Sequence, residues 1–327
     1  MANLGEFYCA ELSRSLGEDI VGSAGYYQTY ILIECPYPWE SQAFESPKVP
    51  SNLQAFISEV EKAKLSVRFL LMVKDKCKAD QKTKVIVYQQ PQKSTPSYHK
   101  QEFDLPSIGE VAPLLANYLT AEGFKFATRP SESRDFFVCT HGSRDRCCSR
   151  FGYPFYRQAV EMSAKLGLED VDVWQVSHIG GHRFAPTMIA FPDGRYYGAL
   201  TPDSLETILT RQGDLSCFEQ VYRGWSLLPK KVQVLERELM LHHGWQWYDY
   251  DVSYRILNES SESDWLQVEL CCQQPNGDTL IYQADIVVNE EKTIHSQGSC
   301  SSQDNSKFVK YQAQNLKLVT NLAKMTA

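Results

Sequence analysis

The stretch Asp135-Phe136-Phe137-Val138-Cys139-Thr140-His141-Gly142-Ser143-Arg144-Asp145-Arg146-Cys147-Cys148 decides how this chain is read. Asp135 to Val138 is a short β-rich run and reads as a strand. A polar loop follows it, then a helix expected from about Pro154 to Leu166 and a second strand from Val171 to Val176. The end of that strand delivers another unusual run, Trp174-Gln175-Val176-Ser177-His178-Ile179-Gly180-Gly181-His182-Arg183-Phe184. Thr187 to Phe191 and Arg195 to Leu200 form a hairpin around Pro192-Asp193-Gly194, and a helix runs from about Pro202 to Leu209. Both unusual runs therefore lie on strand-end loops, where binding and catalytic side chains collect.

Outward from this unit, the preceding half shows the same order. Tyr26 to Glu34 is a strand, Cys35 to Pro50 is turn-rich, and Ser51 and Asn52 cap a helix through about Ala63. Leu65 to Val73 and Lys84 to Tyr88 are strands flanking a charged turn, Lys74 to Thr83, and a helix spans about Ser107 to Leu119. Strand, helix, strand, strand, helix is compatible with a thioredoxin-like unit, and it occurs twice. The expected fold class is α/β, with two tandem thioredoxin-like units over residues 1–125 and 126–225. A small α+β appendage is expected over 226–327. In it, a helix from Leu228 to Leu241 precedes a meander of Trp247–Leu257, Trp265–Cys272, Thr279–Val288 and Thr293–Gly298, with polar loops at Asn258–Asp264 and Ser299–Ser306. Cys35 ends the first strand of the first unit much as Cys139 ends that of the second, but the first unit has no other ligand candidates at matching spacing.

The chain has 327 residues, 43% hydrophobic and 22% charged, enough for a large core without metals or disulfides to hold it. Its net charge of −7 argues against general nucleic-acid binding, which needs an excess of Lys and Arg. No apolar run approaches the roughly 18 residues of a membrane span, and Met1 to Glu6 lacks the pattern of a signal peptide. Ten cysteines without a secretion signal are expected to be reduced, which points to a cytoplasmic location.

Cys139 and Cys148, then His178 and His182, form a set of two thiols and two imidazoles suited to zinc, copper or iron–sulfur. Gly180-Gly181 lets the backbone approach a ligand closely and aim N–H groups at it. The spacing does not fit a common zinc finger, so spacing alone leaves a colourless zinc module and an iron–sulfur centre both open. A thiol-dependent enzyme built on Cys139 with His141 or His178 is a further reading. A phosphatase loop is excluded, because Asp145 stands where its Arg would be. His141 is an alternative ligand or a polar support. His242 and His243 close a helix before Gly244, and Cys9, Cys77, Cys217, Cys271, Cys272 and Cys300 read as buried thiols.

The run CTHGSRDRCC followed by SHIGGHRF resembles the sucrase/ferredoxin-like family, thioredoxin-like ferredoxins with a C-x8-C…H-x-G-G-H signature. Gly152-Tyr153-Pro154, Trp174, Tyr197-Gly198, Gly17-Glu18-Asp19, Gly22-Ser23-Ala24 and Tyr222-Arg223-Gly224 add to the resemblance, which covers about residues 5 to 225. It implies a 2Fe–2S cluster held by Cys139, Cys148, His178 and His182, with Cys147 in a supporting or packing role.

Two neutral imidazoles in place of two thiolates would take the oxidised cluster from a dianion to neutral. The potential should then lie above that of four-Cys clusters, as in Rieske centres. Electron uptake is expected to couple to proton uptake at the histidines. The function implied is electron transfer to redox partner proteins, a carrier more than a stand-alone enzyme. Arg144, Arg146, Arg150 and Arg183 crowd the motif, and they read either as solvated or salt-bridged arginines or as a positive collar that steers an acidic partner.

Overall fold

Tyr30-Ile31-Leu32-Ile33 is apolar on both sides of the pleat, as a strand covered on both faces requires. It lies inside a nine-stranded sheet in the computed structural model of the chain, which describes residues 7–75, 82–91, 96–120, 133–262 and 264–322. In chain order the elements are α1 (Cys9–Ser15), β1 (Thr29–Glu34), α2 (Ser51–Lys62), β2 (Val67–Val73), β3 (Thr83–Gln89), β4 (His99–Leu105) and α3 (Val111–Thr120). Next come β5 (Arg134–Cys139), α4 (Tyr153–Lys165), β6 (Val171–Val176), β7 (Met188–Phe191), β8 (Arg195–Tyr197) and α5 (Pro202–Thr210). After these come α6 (Phe218–Val221), β9 (Tyr222–Trp225), α7 (Val232–His243), β10 (Asp251–Ser260), β11 (Trp265–Gln273), β12 (Thr279–Gln297) and β13 (Asn305–Leu322).

The sheet order is β4-β3-β1-β2-β6-β5-β7-β8-β9. Outward from the β2–β6 seam, both sides run alike. β1 pairs parallel with β2 and antiparallel with β3, while β5 pairs parallel with β6 and antiparallel with β7. β3–β4 and β7–β8 are antiparallel hairpins, and the seam itself is antiparallel. Each half thus repeats the strand order of a thioredoxin-like unit within one continuous sheet, and β9 extends the second side alone. The boundary expected at residues 125/126 lies outside the described residues, as do Cys77, residues 1–6 and the middle of the turn Lys74–Thr83.

Alternate residues of β1 face opposite ways. Ile31 and Ile33 pack under α2 and α3 with Leu53, Ile57, Val111 and Leu115. Tyr30 and Leu32 join a larger core that includes Phe137, Phe191, Tyr196 and Trp225. That core continues into α7 and the separate sheet β10-β11-β12-β13, where Leu266, Val268, Leu270 and Cys272 alternate inward along β11. A buried ion pair fastens α7 to the large sheet. Arg195 donates to Glu236 Oε1 at 2.7 Å, and Glu236 also accepts from Tyr222 and from Trp247.

Five elements escape the sequence reading: α1, β4, α6, β9 and β13. β4 is His-Lys-Gln-Glu-Phe-Asp-Leu, an edge strand whose charges hide the β pattern and protect the edge. The two strands expected at Thr279–Val288 and Thr293–Gly298 are one long strand, β12, irregular between Asn289 and Ile294. Trp247 belongs to a 3-10 turn over Gly244–Asp249, so the first meander strand begins at Asp251.

Candidate metal centre

Cys139 is the last residue of β5, and its N–H is bonded to Thr187 O at 3.0 Å. Cys148 opens a π-helical turn, Cys148–Gly152, that feeds α4. Only glycine fits at 152, because a Cβ there would stand 2.0 Å from the Cys139 carbonyl oxygen. This close approach folds the helix start back over the strand end and sets both thiols side by side. His178 leaves β6 at the same end of the sheet and brings its Nδ1 to 3.7 Å from Cys148 Sγ. Ligand atoms of Cys139, Cys148 and His178 all lie within 4.8 Å of one another.

His182 is not in that group of three, although its ring centroid is 5.3 Å from that of His178. Its Nδ1–H donates to Asp145 Oδ2 at 3.0 Å and lies 3.5 Å from Cys9 Sγ. Nε2 is therefore the nitrogen left for a ligand. A carboxylate that fixes the tautomer of a ligating histidine is a common supporting arrangement. Burial alone would raise the Asp145 pKa, but bonds from His182 and from the N–H groups of Cys147 and Cys300 hold it well below the usual carboxylate range.

Both thiols are buried. A hydrogen bond from Cys148 pulls the Cys139 thiol down strongly, with His178 adding to the effect, while Cys148 is pushed up by the same bond. The histidines sit nearer the surface, with the His182 side chain 20% exposed.

The loops are held from several sides. Gly180 and Gly181 have φ of +83° and +74°, and a Cβ on Gly181 would meet Arg223 Nη2 at 2.6 Å. Arg223 is buried, donates to Gly180 O at 3.0 Å and to Ser23 O at 2.7 Å, and has its pKa lowered to about 10 by burial. Arg68 Nη2 donates to His178 O at 2.8 Å. His141 is a support: Nε2–H donates to Glu40 O at 2.7 Å, and Nδ1 accepts from His178 N–H at 3.1 Å. Both its nitrogens are thus engaged, and burial lowers its pKa.

Arg183 is salt-bridged, as one of the two readings of these arginines has it, and takes no part in a surface collar. It turns inward, 14% exposed, donating to Glu18 Oε1 at 2.6 Å and stacking 3.4 Å from the Phe308 ring centroid. Arg144, Arg146 and Arg150 stay exposed. Cys147 does more than pack, since its sulfur lies 3.5 Å from Cys9 Sγ and 3.2 Å from Cys300 Sγ. Sequence pattern alone reads Cys9 and Cys300 as ordinary buried thiols and assigns Asp145, Arg68 and Arg223 no role at the site; Arg223 stands out only within Tyr222-Arg223-Gly224.

Residues 20–224 match the sucrase/ferredoxin-like family. The chain belongs to that family. All four sequence-nominated ligands of this sucrase/ferredoxin-like protein fall inside the matched span. Among curated proteins it is 34% identical over 95 residues to altered inheritance of mitochondria protein 32 of Debaryomyces hansenii, covering 27% of this chain and 34% of that one. It is 31% identical over 108 residues to the protein of the same name in Clavispora lusitaniae, covering 31% and 38%. The matches span about a third of the length of these relatives. A thioredoxin-like [2Fe-2S] ferredoxin from Aquifex aeolicus aligns at 17% identity with a TM-score of 0.25, over 30% of this chain and 96% of that one. Among the described residues, no helix of this family member is long and apolar enough to cross a membrane.

Proposed function

We propose that Cys139, Cys148, His178 and His182 hold a 2Fe–2S cluster and that the protein carries electrons. The observation that carries this reading is the meeting of two thiols and one imidazole within 4.8 Å at one end of the sheet, with His182 beside them. Two adjacent buried thiols suit one iron, and two histidines nearer the surface suit the other, the donor division of a Rieske centre. When bound, the cluster supplies one-electron chemistry at a potential above that of four-Cys centres.

This chain's residues do the rest. Asp145 keeps the His182 proton on Nδ1 and leaves Nε2 for the metal. His141, Arg68 and Arg223 fix the turn between the histidines. The buried cysteines keep water from the inner side, and the outer histidines can exchange protons. Exposed Arg144, Arg146 and Arg150 offer positive charge to an acidic redox partner. In this reading the first α/β unit serves as scaffold and the second carries the cofactor.

The test is the visible and EPR spectrum of anaerobically purified protein, with iron and acid-labile sulfide counted. About two irons and two sulfides per chain are expected. A colourless protein with zinc bound by these residues would overturn the reading. Cys148→Ser should lose the cluster, whereas His182→Cys should retain one at lower potential, because thiolate adds negative charge.

A further inference from the structure

A second cluster of ligand-type side chains lies beside the first. Cys9 starts α1, Cys147 precedes the π-helical turn, and Cys300 sits between β12 and β13. The three sulfurs approach within 3.5, 3.2 and 3.6 Å of one another. With a carboxylate oxygen of Asp145 they make four donor atoms, all within 4.8 Å. Cys9 and Cys147 are 1% and 0% exposed. Residues 9, 147 and 300 come from three distant parts of the chain, so no local turn explains their convergence.

We propose that Cys9, Cys147, Cys300 and Asp145 form a second metal site for a single redox-inert divalent cation of the zinc class. Tetrahedral zinc with Zn–S near 2.3 Å sets sulfurs about 3.8 Å apart. The three thiols need to open by only a few tenths of an ångström to admit such an ion. Four donors converging on one point suit a single tetrahedral ion, and an odd number of thiols cannot all pair as disulfides. On binding, three S–H groups give up their protons to solvent and four anionic donors surround the dication, leaving a net charge of −2.

The surroundings suit that charge. Ala10 N–H points at Cys147 Sγ at 3.4 Å, and Cys147 N–H and Cys300 N–H both donate to Asp145. Arg146 reaches the carbonyls of Cys300 and Phe7, and Arg183 adds positive charge near Cys9.

Asp145 joins the two sites. Oδ1 accepts from Cys147 N–H, and Oδ2 accepts from His182 and Cys300 N–H. An ion here would fasten the N-terminal helix and the C-terminal hairpin onto the loop that carries Cys139 and Cys148. That gives the C-terminal sheet a role at the redox centre.

The experiment is elemental analysis of the full chain for zinc and iron, with Zn K-edge absorption on the same sample. The expected result is about one zinc per chain, bound by three sulfurs near 2.3 Å and one lighter atom. Cys9→Ser and Cys300→Ser should each lower zinc at least fivefold and leave iron and the visible spectrum in place. Cys148→Ser should lose iron and keep this zinc. The outcome is separable from that at the first site: if the first site itself held zinc, the wild type would carry two ions and Cys9→Ser would still keep one. The proposal is overturned if the wild type is zinc-free and the folded, chelated protein takes up no stoichiometric Zn2+. It is equally overturned if zinc content ignores Cys9 and Cys300, or if peptide mapping finds a disulfide between any two of the three.

Discussion

The two thioredoxin-like units share a topology and differ in what their first strand delivers. β5 ends in Cys139, and its loop returns with Cys148 at the start of a helix. β1 runs into Cys35, and its loop returns with no ligand. That loop folds against its counterpart instead. Trp39 O accepts from Ser143 Oγ at 2.6 Å, Glu40 O accepts from His141, and Tyr37 bonds to Thr140 and to Gln175. The seam explains how it reaches. β2 and β6 pair only at their last residues, Met72 with Val176 and Val73 with Gln175, so the carboxyl ends of both units meet. One unit holds the candidate ligands, and the equivalent loop of the other holds that unit's loop in shape.

The largest effect should separate the two strand-end cysteines. Cys139→Ser should abolish iron binding, while Cys35→Ser should keep the full iron count and visible spectrum. Cys35 is buried, so its replacement should cost about 1–2 kcal/mol of stability as a hydroxyl enters an apolar site. Iron analysis and thermal unfolding of both variants decide this. Loss of iron from Cys35→Ser would break the division of labour.

Trp39→Ala comes next. The indole is buried, donates to Cys35 O at 2.9 Å, lies 4.2 Å from the Tyr37 ring and meets His141 edge-on. Removing it should cost about 3–5 kcal/mol. It should also speed iron loss to a chelator, measured as bleaching of the visible spectrum. Destabilisation with an unchanged bleaching rate would mean that the first unit's loop is mere packing.

The units also differ in what surrounds them. An ionic clasp from the N-terminal segment ties Arg183 of the second unit to α7 and to the C-terminal strands. Glu18 accepts from Arg183 and Lys310, and Asp19 accepts from Arg237 at 2.6 Å and from Lys292 at 3.0 Å. Burial alone would raise the Asp19 pKa, but these cations and Val21 N–H hold it well below the usual range. A carboxylate lowered on folding lends stability that is complete above its unfolded pKa, about 4, and that fades as pH falls toward its folded value. Asp19→Asn should therefore destabilise the protein by about 3 kcal/mol at neutral pH, and the gap between its melting curve and the wild type's should narrow steadily as pH falls below about 4. A gap that persists unchanged in acid would remove the clasp from the account.

Much of this was legible in the sequence for physical reasons. Tyr30 to Ile33 and Phe69 to Met72 are continuous apolar runs, which announce central strands, and Cys139 and His178 sit at the ends of such runs. β4 was not legible, because an edge strand rich in charge has no apolar period. Nor was the work of Asp145, whose partners are the side chain of His182 and the backbone of Cys300. The trio Cys9, Cys147 and Cys300 was invisible because nothing local pairs positions so far apart. Sequence pattern reports burial along one element, whereas a site assembled by tertiary contact leaves no period to read.

The smallest effect probes the scaffold at a single bond. Arg68 lies on β2 of the first unit, and its guanidinium donates to the carbonyl of His178 in the second. Arg68→Met keeps much of the side chain's length and apolar stem but removes that donor and its charge. The lost hydrogen bond should cost about 1–2 kcal/mol, since the donor is charged. With one positive charge fewer beside the site, the reduced cluster is less favoured, so its midpoint potential should fall. Arg68→Lys restores charge without the planar fork and should recover most of the potential but less of the stability. If Arg68→Met leaves both potential and melting temperature at wild-type values, the first unit touches the histidine turn without holding it.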